Sequence, residues 1–140
     1  MPLAAPLGFA LVASLISVEA QWWLNDYDQV SPAVDGKGVT VAVIDTGIET
    51  SHPDLVGTVI GGADFSGVGT PNGTSPVGSS GFHGTMVASL IVGQGRQTGG
   101  VIGVAPEAKL LSVSIGLGVE GADTDRQIAQ AVRWSVDNGA

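Results

Sequence analysis

The chain predicts an α/β fold in which a parallel sheet is flanked by helices, and three observations lead there. Val39, Val41, Ala42, Val43 and Ile44 are apolar on both faces of a strand, as in a parallel strand covered from both sides. Leu110, Leu111, Val113 and Ile115 repeat that pattern within the segment Lys109 to Ile115. Two stretches with apolar residues at helical spacing lie between and after these strands, and strands alternating with helices argue for parallel α/β architecture.

Gly36 and Gly38 introduce the first strand, Gly47 stops it, and its last residue is Asp45. In open parallel sheets the chemistry gathers beyond the carboxyl ends of the strands, so an acid there is placed for function. An Asp that merely closes a turn is the competing explanation, and the strand alone does not choose between them.

Ser51-His-Pro-Asp-Leu55 follows as a loop, because Pro53 disfavours helix at the residue before it. Val56 to Ile60 reads as a short strand. Residues 61–81 are rich in Gly, Ser, Thr, Pro and Asn, which predicts a long surface loop. Val87, Leu90 and Ile91 then stand at i, i+3 and i+4 with Ala88 beside them, predicting a helix of about three turns that Gly93 stops. His83 opens it. The chain has 2 histidines; His52 precedes a proline in a loop, whereas His83 stands at the end of a rigid element where Gly84 lets another segment approach. His83 is therefore the preferred general base.

The glycine-rich connection from Gly93 to Gly103 lacks the third glycine of a dinucleotide-binding loop and follows a helix rather than a strand, so it reads as a turn. After the Lys109–Ile115 strand, Thr124 and Gln127 form a capping box. Ile128, Ala131, Val132 and Ser135 line one face of the helix it opens, and Asn138-Gly139 ends it.

At the other end, residues 1–20 carry Leu3, Leu7, Phe9, Leu11, Val12, Leu15, Ile16 and Val18, an apolar stretch too short to span a bilayer comfortably. Val18-Glu-Ala20 suits signal peptidase, which predicts cleavage before Gln21 and a secreted or cell-surface protein with no stable membrane span in its mature form. No Lys or Arg precedes Lys37, so a hydrophobic N-terminal helix packed on the domain is the alternative. Residues 21–35 read as a surface arm anchored by Trp22 and Trp23. The domain organisation expected is a signal peptide at 1–20 and one catalytic-type domain at 21–140.

Composition narrows the function. Against 13 acidic residues stand 5 basic ones, a net charge of −8 that disfavours nucleic acid and anionic membrane as partners. The absence of cysteine removes disulfides, thiolate zinc sites and cysteine nucleophiles. His52 and Asp54, two apart in a loop, form a close His/carboxylate pair that lacks the helical spacing of zinc peptidases.

Val41-Ala-Val-Ile-Asp-Thr-Gly47, Ser51-His-Pro-Asp-Leu55, His83-Gly-Thr-Met-Val-Ala88 and Gly103-Val-Ala-Pro106 occur in the order and approximate spacing of the subtilisin-like serine peptidases. Gln21 to Ala140 thus resembles about the first half of a subtilase catalytic domain, with a direct start similar to actinobacterial, mycosin-like members. The resemblance implies that Asp45 and His83 are the acid and base of an Asp-His-Ser triad and His52 a structural neighbour. It further implies that a polypeptide substrate pairs near Gly118, that Asp54 is a candidate ligand for structural calcium, and that the chemistry requires no cofactor.

The resemblance implies that the nucleophile segment and the oxyanion-hole asparagine of such enzymes lie outside the 140 residues; the tripeptide Gly73-Thr-Ser75 does occur, but between the Asp45 and His83 motifs in the segment read as a surface loop. Ser112, Ser114 and Ser135 fall in a predicted strand and helix rather than on a nucleophile elbow. The expectation is a subtilisin-like three-layer fold truncated after its second main helix, and little activity for this chain alone. Two alternatives stand beside it. One is a truncated, non-catalytic subtilase fragment with an exposed sheet edge that favours aggregation. The other is a homodimeric aspartic peptidase using Asp45 of Asp-Thr-Gly, which leaves the His83 helix and the βα alternation unexplained.

Overall fold

A computed structural model describes residues 21, 22, 26, 34–97 and 99–140. The expected signal peptide and most of the arm after it lie outside the described residues. Three parallel strands, β1 (Thr40–Asp45), β2 (Val59–Asp64) and β3 (Lys109–Ser114), form a sheet in the order β1-β3-β2. Helix α1 (His83–Val92) links β2 to β3, and α2 (Thr124–Asp137) follows β3.

The unbroken apolar runs are explained by burial on both sides. Val43 and Leu110 join Ile48, Leu55, Ala88 and Val92 in a core under α1, while Leu111, Val113 and Ile115 join Ala131 under α2. Leu110 and Val113 are fully buried, and each such side chain stabilises the fold by about 2 kcal/mol.

Three expectations are corrected. The second strand starts at Val59 and runs to Asp64, because Leu55 and Val56 are held in turns: the N–H of each donates to His52 O. Gly61 and Gly62 belong to the strand instead of opening a loop; a side chain at Gly62 would collide with the carbonyls of Asn72 and Ser112. The buried face of α1 consists of Gly84, Ala88, Ser89 and Val92, leaving Leu90 on the exposed side. Likewise α2 buries Gln127, Ala131 and Ser135, while Ile128 and Val132 are exposed. Small residues at these contacts let both helices lie close to the sheet. Finally, Asp123 rather than Thr124 caps α2, accepting from Arg126 N, and Gln127 Oε1 accepts from Gly116 N at 2.6 Å instead of reaching back to the cap.

The register puts Asp45, Ser114 and Asp64 side by side at the carboxyl ends of the three strands. The loops at this end build the site.

Candidate active site

Asp45 is buried, and its Oδ1 accepts from Thr46 N at 2.7 Å. His83, the first residue of α1, places Nδ1 at 2.9 Å from Oδ1 and 2.8 Å from Oδ2 of Asp45. A carboxylate only accepts, so the proton of this bond belongs to Nδ1 and the lone pair of the neutral ring is at Nε2. The side chain of Asp45 is 11% exposed and that of His83 53%. A buried carboxylate thus orients an imidazole that is half exposed.

Local chemistry brings the two residues together. Gly47, at φ 91°, turns the chain sharply out of β1, a conformation that costs glycine little. Gly84 lies directly against the Gly47 carbonyl and beside Asp45 Cβ. The sequence reading placed Asp45 and His83 at element ends, and the structure joins them.

The other expected residues stand apart from this pair. His52 Nδ1 accepts from Asp54 N at 3.3 Å, a contact within its own turn. Asp54 is buried, with Oδ1 accepting from Arg96 N at 2.7 Å and Oδ2 from Val101 N at 3.1 Å. These bonds clasp the 94–102 turn, where Gln94 and Ile102 form an antiparallel bridge. Gln21 secures the same turn, donating to Gly100 O and accepting from Ile102 N. Each Asp54 oxygen accepts one backbone amide of this turn, and among the described residues no group of three or more His, Cys, Asp or Glu that could hold a metal ion is present. Gly118 is exposed at φ 72° against Ser79, in the segment that leaves β3 just after Ile115, whose N–H donates to Asp45 O.

Ser112, Ser114 and Ser135 are all buried and donate to Gly73 O, Asp64 Oδ1 and Ala131 O, respectively. None is presented as a nucleophile.

Asp64 was missed in the sequence, where it fell inside the segment read as loop. Burial raises its carboxyl pKa, but hydrogen bonds from Ser114 Oγ, Ser66 Oγ, Ser66 N and Gly67 N outweigh that and hold it below the usual carboxylate range. The available signal was Asp64-Phe-Ser-Gly67, an acid followed two residues later by a hydroxyl and a glycine, as in an Asx turn.

Comparison with known proteins identifies relatives of the chain. The profile of the subtilase family, peptidase S8, matches residues 36–140. Thermitase of Thermoactinomyces vulgaris is 35% identical over 106 residues, covering 76% of this chain and 36% of thermitase. Subtilisin Savinase of Lederbergia lenta is 44% identical over 104 residues, covering 74% and 35%. Among solved structures, MycP1 from Mycobacterium smegmatis superposes with a TM-score of 0.63 at 31% identity, covering 84% of this chain and 34% of that one. Fervidolysin from Fervidobacterium pennivorans, a keratinolytic enzyme related to subtilisin, gives 0.60 at 32% identity over 91% of this chain and 18% of its own. The chain spans about a third of the length of these two curated relatives. The matched segment contains both Asp45 and His83, and the chain belongs to the subtilase family of serine peptidases.

Proposed function

We propose that Asp45 and His83 are the acid and base of a serine endopeptidase whose nucleophile is a serine outside these 140 residues. The observation that carries this reading is the contact of His83 Nδ1 with both Asp45 oxygens, at 2.9 and 2.8 Å, on a ring that is otherwise open to solvent. In this reading Nε2 takes the proton of the attacking hydroxyl and returns it to the leaving amine. Asp45 keeps the ring in the Nδ1–H tautomer and stabilises the cation formed during attack. No cofactor enters these steps.

The substrate is a polypeptide, and the exposed backbone around Gly118 is where an extended segment of it pairs by strand addition. The protein acts outside the cytoplasm, with residues 1–20 as its signal peptide; the apolar run ending in Val18-Glu-Ala20 supports this. Among the described residues no helix is long and apolar enough to cross a membrane. The aspartic-peptidase alternative gives way to the parallel sheet and the family match, and Asp45 is engaged with His83 rather than with a second carboxylate.

The test is hydrolysis of a fluorogenic peptide by the full product of the encoding gene, as wild type and as His83→Ala and Asp45→Asn. Loss of turnover in both variants and insensitivity to pepstatin are expected. Undiminished turnover in His83→Ala, or an acidic optimum with pepstatin inhibition, would overturn the proposal.

A further inference from the structure

We infer that Thr46 is the positioning residue of the Asp45–His83 pair, holding the start of α1 to the end of β1 through its side-chain hydroxyl. This rests on the roles proposed for Asp45 and His83. Those two residues are 38 positions apart in the chain, so their contact depends on whatever fixes one element against the other. Thr46 is 1% exposed, and all its polar groups are engaged at this junction. Its N–H donates to Asp45 Oδ1 at 2.7 Å, and its carbonyl accepts from Val77 N at 2.8 Å. The hydroxyl donates to Gly81 O at 2.8 Å and accepts from Gly84 N at 3.0 Å. Gly81 and Gly84 bracket His83, so one oxygen grips the chain on both sides of the base.

The N-terminus of α1 has no side-chain cap of its own, although Thr85 Oγ1 in its first turn accepts from Glu49 N at 2.9 Å and is another tie to the chain after β1. Phe82, at the N-cap of α1, makes no side-chain capping bond, and first-turn amides have no partner inside their helix. Thr46 therefore caps α1 from another element. The contact of Gly84 with the Gly47 carbonyl limits how closely α1 approaches, but packing is not directional. Hydrogen bonds from a single hydroxyl to two backbone groups fix rotation and slide, on which the imidazole's aim depends.

Only a side chain that both donates and accepts at this spot does the work. Valine keeps the shape of threonine and loses both bonds, leaving Gly81 O and Gly84 N unpaired; serine keeps both bonds and loses only the methyl. The test is NMR of the 15N-histidine-labelled chain, following the low-field Nδ1 proton of His83, with Asp45→Asn defining the spectrum of the broken contact. Wild type and Thr46→Ser are expected to show the hydrogen-bonded signal, and Thr46→Val to give the Asp45→Asn spectrum. An unchanged signal in Thr46→Val, or its loss in both variants, would overturn the inference. If Thr46→Val does not fold, the amide of Gly84 in the unmutated chain decides. Slow exchange is expected, and exchange as fast as that of an unstructured glycine would sink the idea. None of these readouts is an activity. A failed peptidase assay with the Nδ1 signal intact would refute the proposed chemistry and leave the positioning role standing.

Discussion

Gly84 has no room for a side chain, because the Gly47 carbonyl oxygen occupies the position a Cβ would take. The glycines of Asp45-Thr-Gly47 and His83-Gly84 are thus two halves of one contact, and the hydrogen-bonded Asp45 and His83 side chains sit beside it.

Gly84→Ala is accordingly expected to destabilise the fold. A methyl group in an α-helix gains about 1 kcal/mol of propensity over glycine, but here it meets backbone that cannot rotate away. Overpacking of this kind costs about 1–3 kcal/mol, and loss of the close helix approach adds to it. Thermal unfolding of the variant should show a lower midpoint, and a midpoint equal to or above wild type would refute the contact.

Asp64 makes stability depend on pH. Its carboxyl is held below the usual range in the folded state, so its contribution is present above the unfolded value of about 3.9 and is lost as pH falls through the folded value. Asp64→Ala should cost about 2 kcal/mol at pH 7, the scale of hydrogen bonds to a charged acceptor. Urea unfolding of both proteins should show that gap closing progressively below about pH 4. A gap independent of pH would contradict the assignment.

Asp54 and Gln21 hold the 94–102 turn through backbone groups alone. Treatment with a chelator is therefore expected to leave the melting temperature unchanged, whereas Asp54→Ala, which strips two amides of their acceptor, should cost about 2–3 kcal/mol. A fall in melting temperature with chelator, reversed by calcium, would make Asp54 a metal ligand instead.

Much of this site is legible from local pattern. Period and punctuation mark β1, β3 and both helices, and they put Asp45 and His83 at element ends, where function is expected. What stays hidden depends on partners distant in the chain. The acceptor of the Thr46 hydroxyl lies 35 residues away, the Ser114 donor to Asp64 50 away, and the Val101 amide bound by Asp54 47 away. Helix faces mislead for another reason. Leu90, Ile128 and Val132 follow the apolar period yet are exposed, because the sheet-facing contacts are made by Gly84, Ala88, Ala131 and Ser135, whose small size leaves little hydrophobic signal. In β2 the same blindness made Gly61-Gly62 look like a break, although bare backbone is what Asn72 and Ser112 require at Gly62.

The central claim is that Asp45 and His83 activate a serine from outside residues 1–140, and covalent labelling tests it most directly. The full gene product is treated with a fluorophosphonate, which reacts with activated serines, and the modified residue is located by mass spectrometry. One labelled serine in a Gly-Thr-Ser segment beyond Ala140 is expected, with its labelling rate reduced by several orders of magnitude in His83→Ala, in line with the roughly millionfold cost of losing a subtilisin triad base. Labelling at Ser75 of Gly73-Thr-Ser75, or at Ser112, Ser114 or Ser135, or labelling that proceeds equally well without His83, would contradict it.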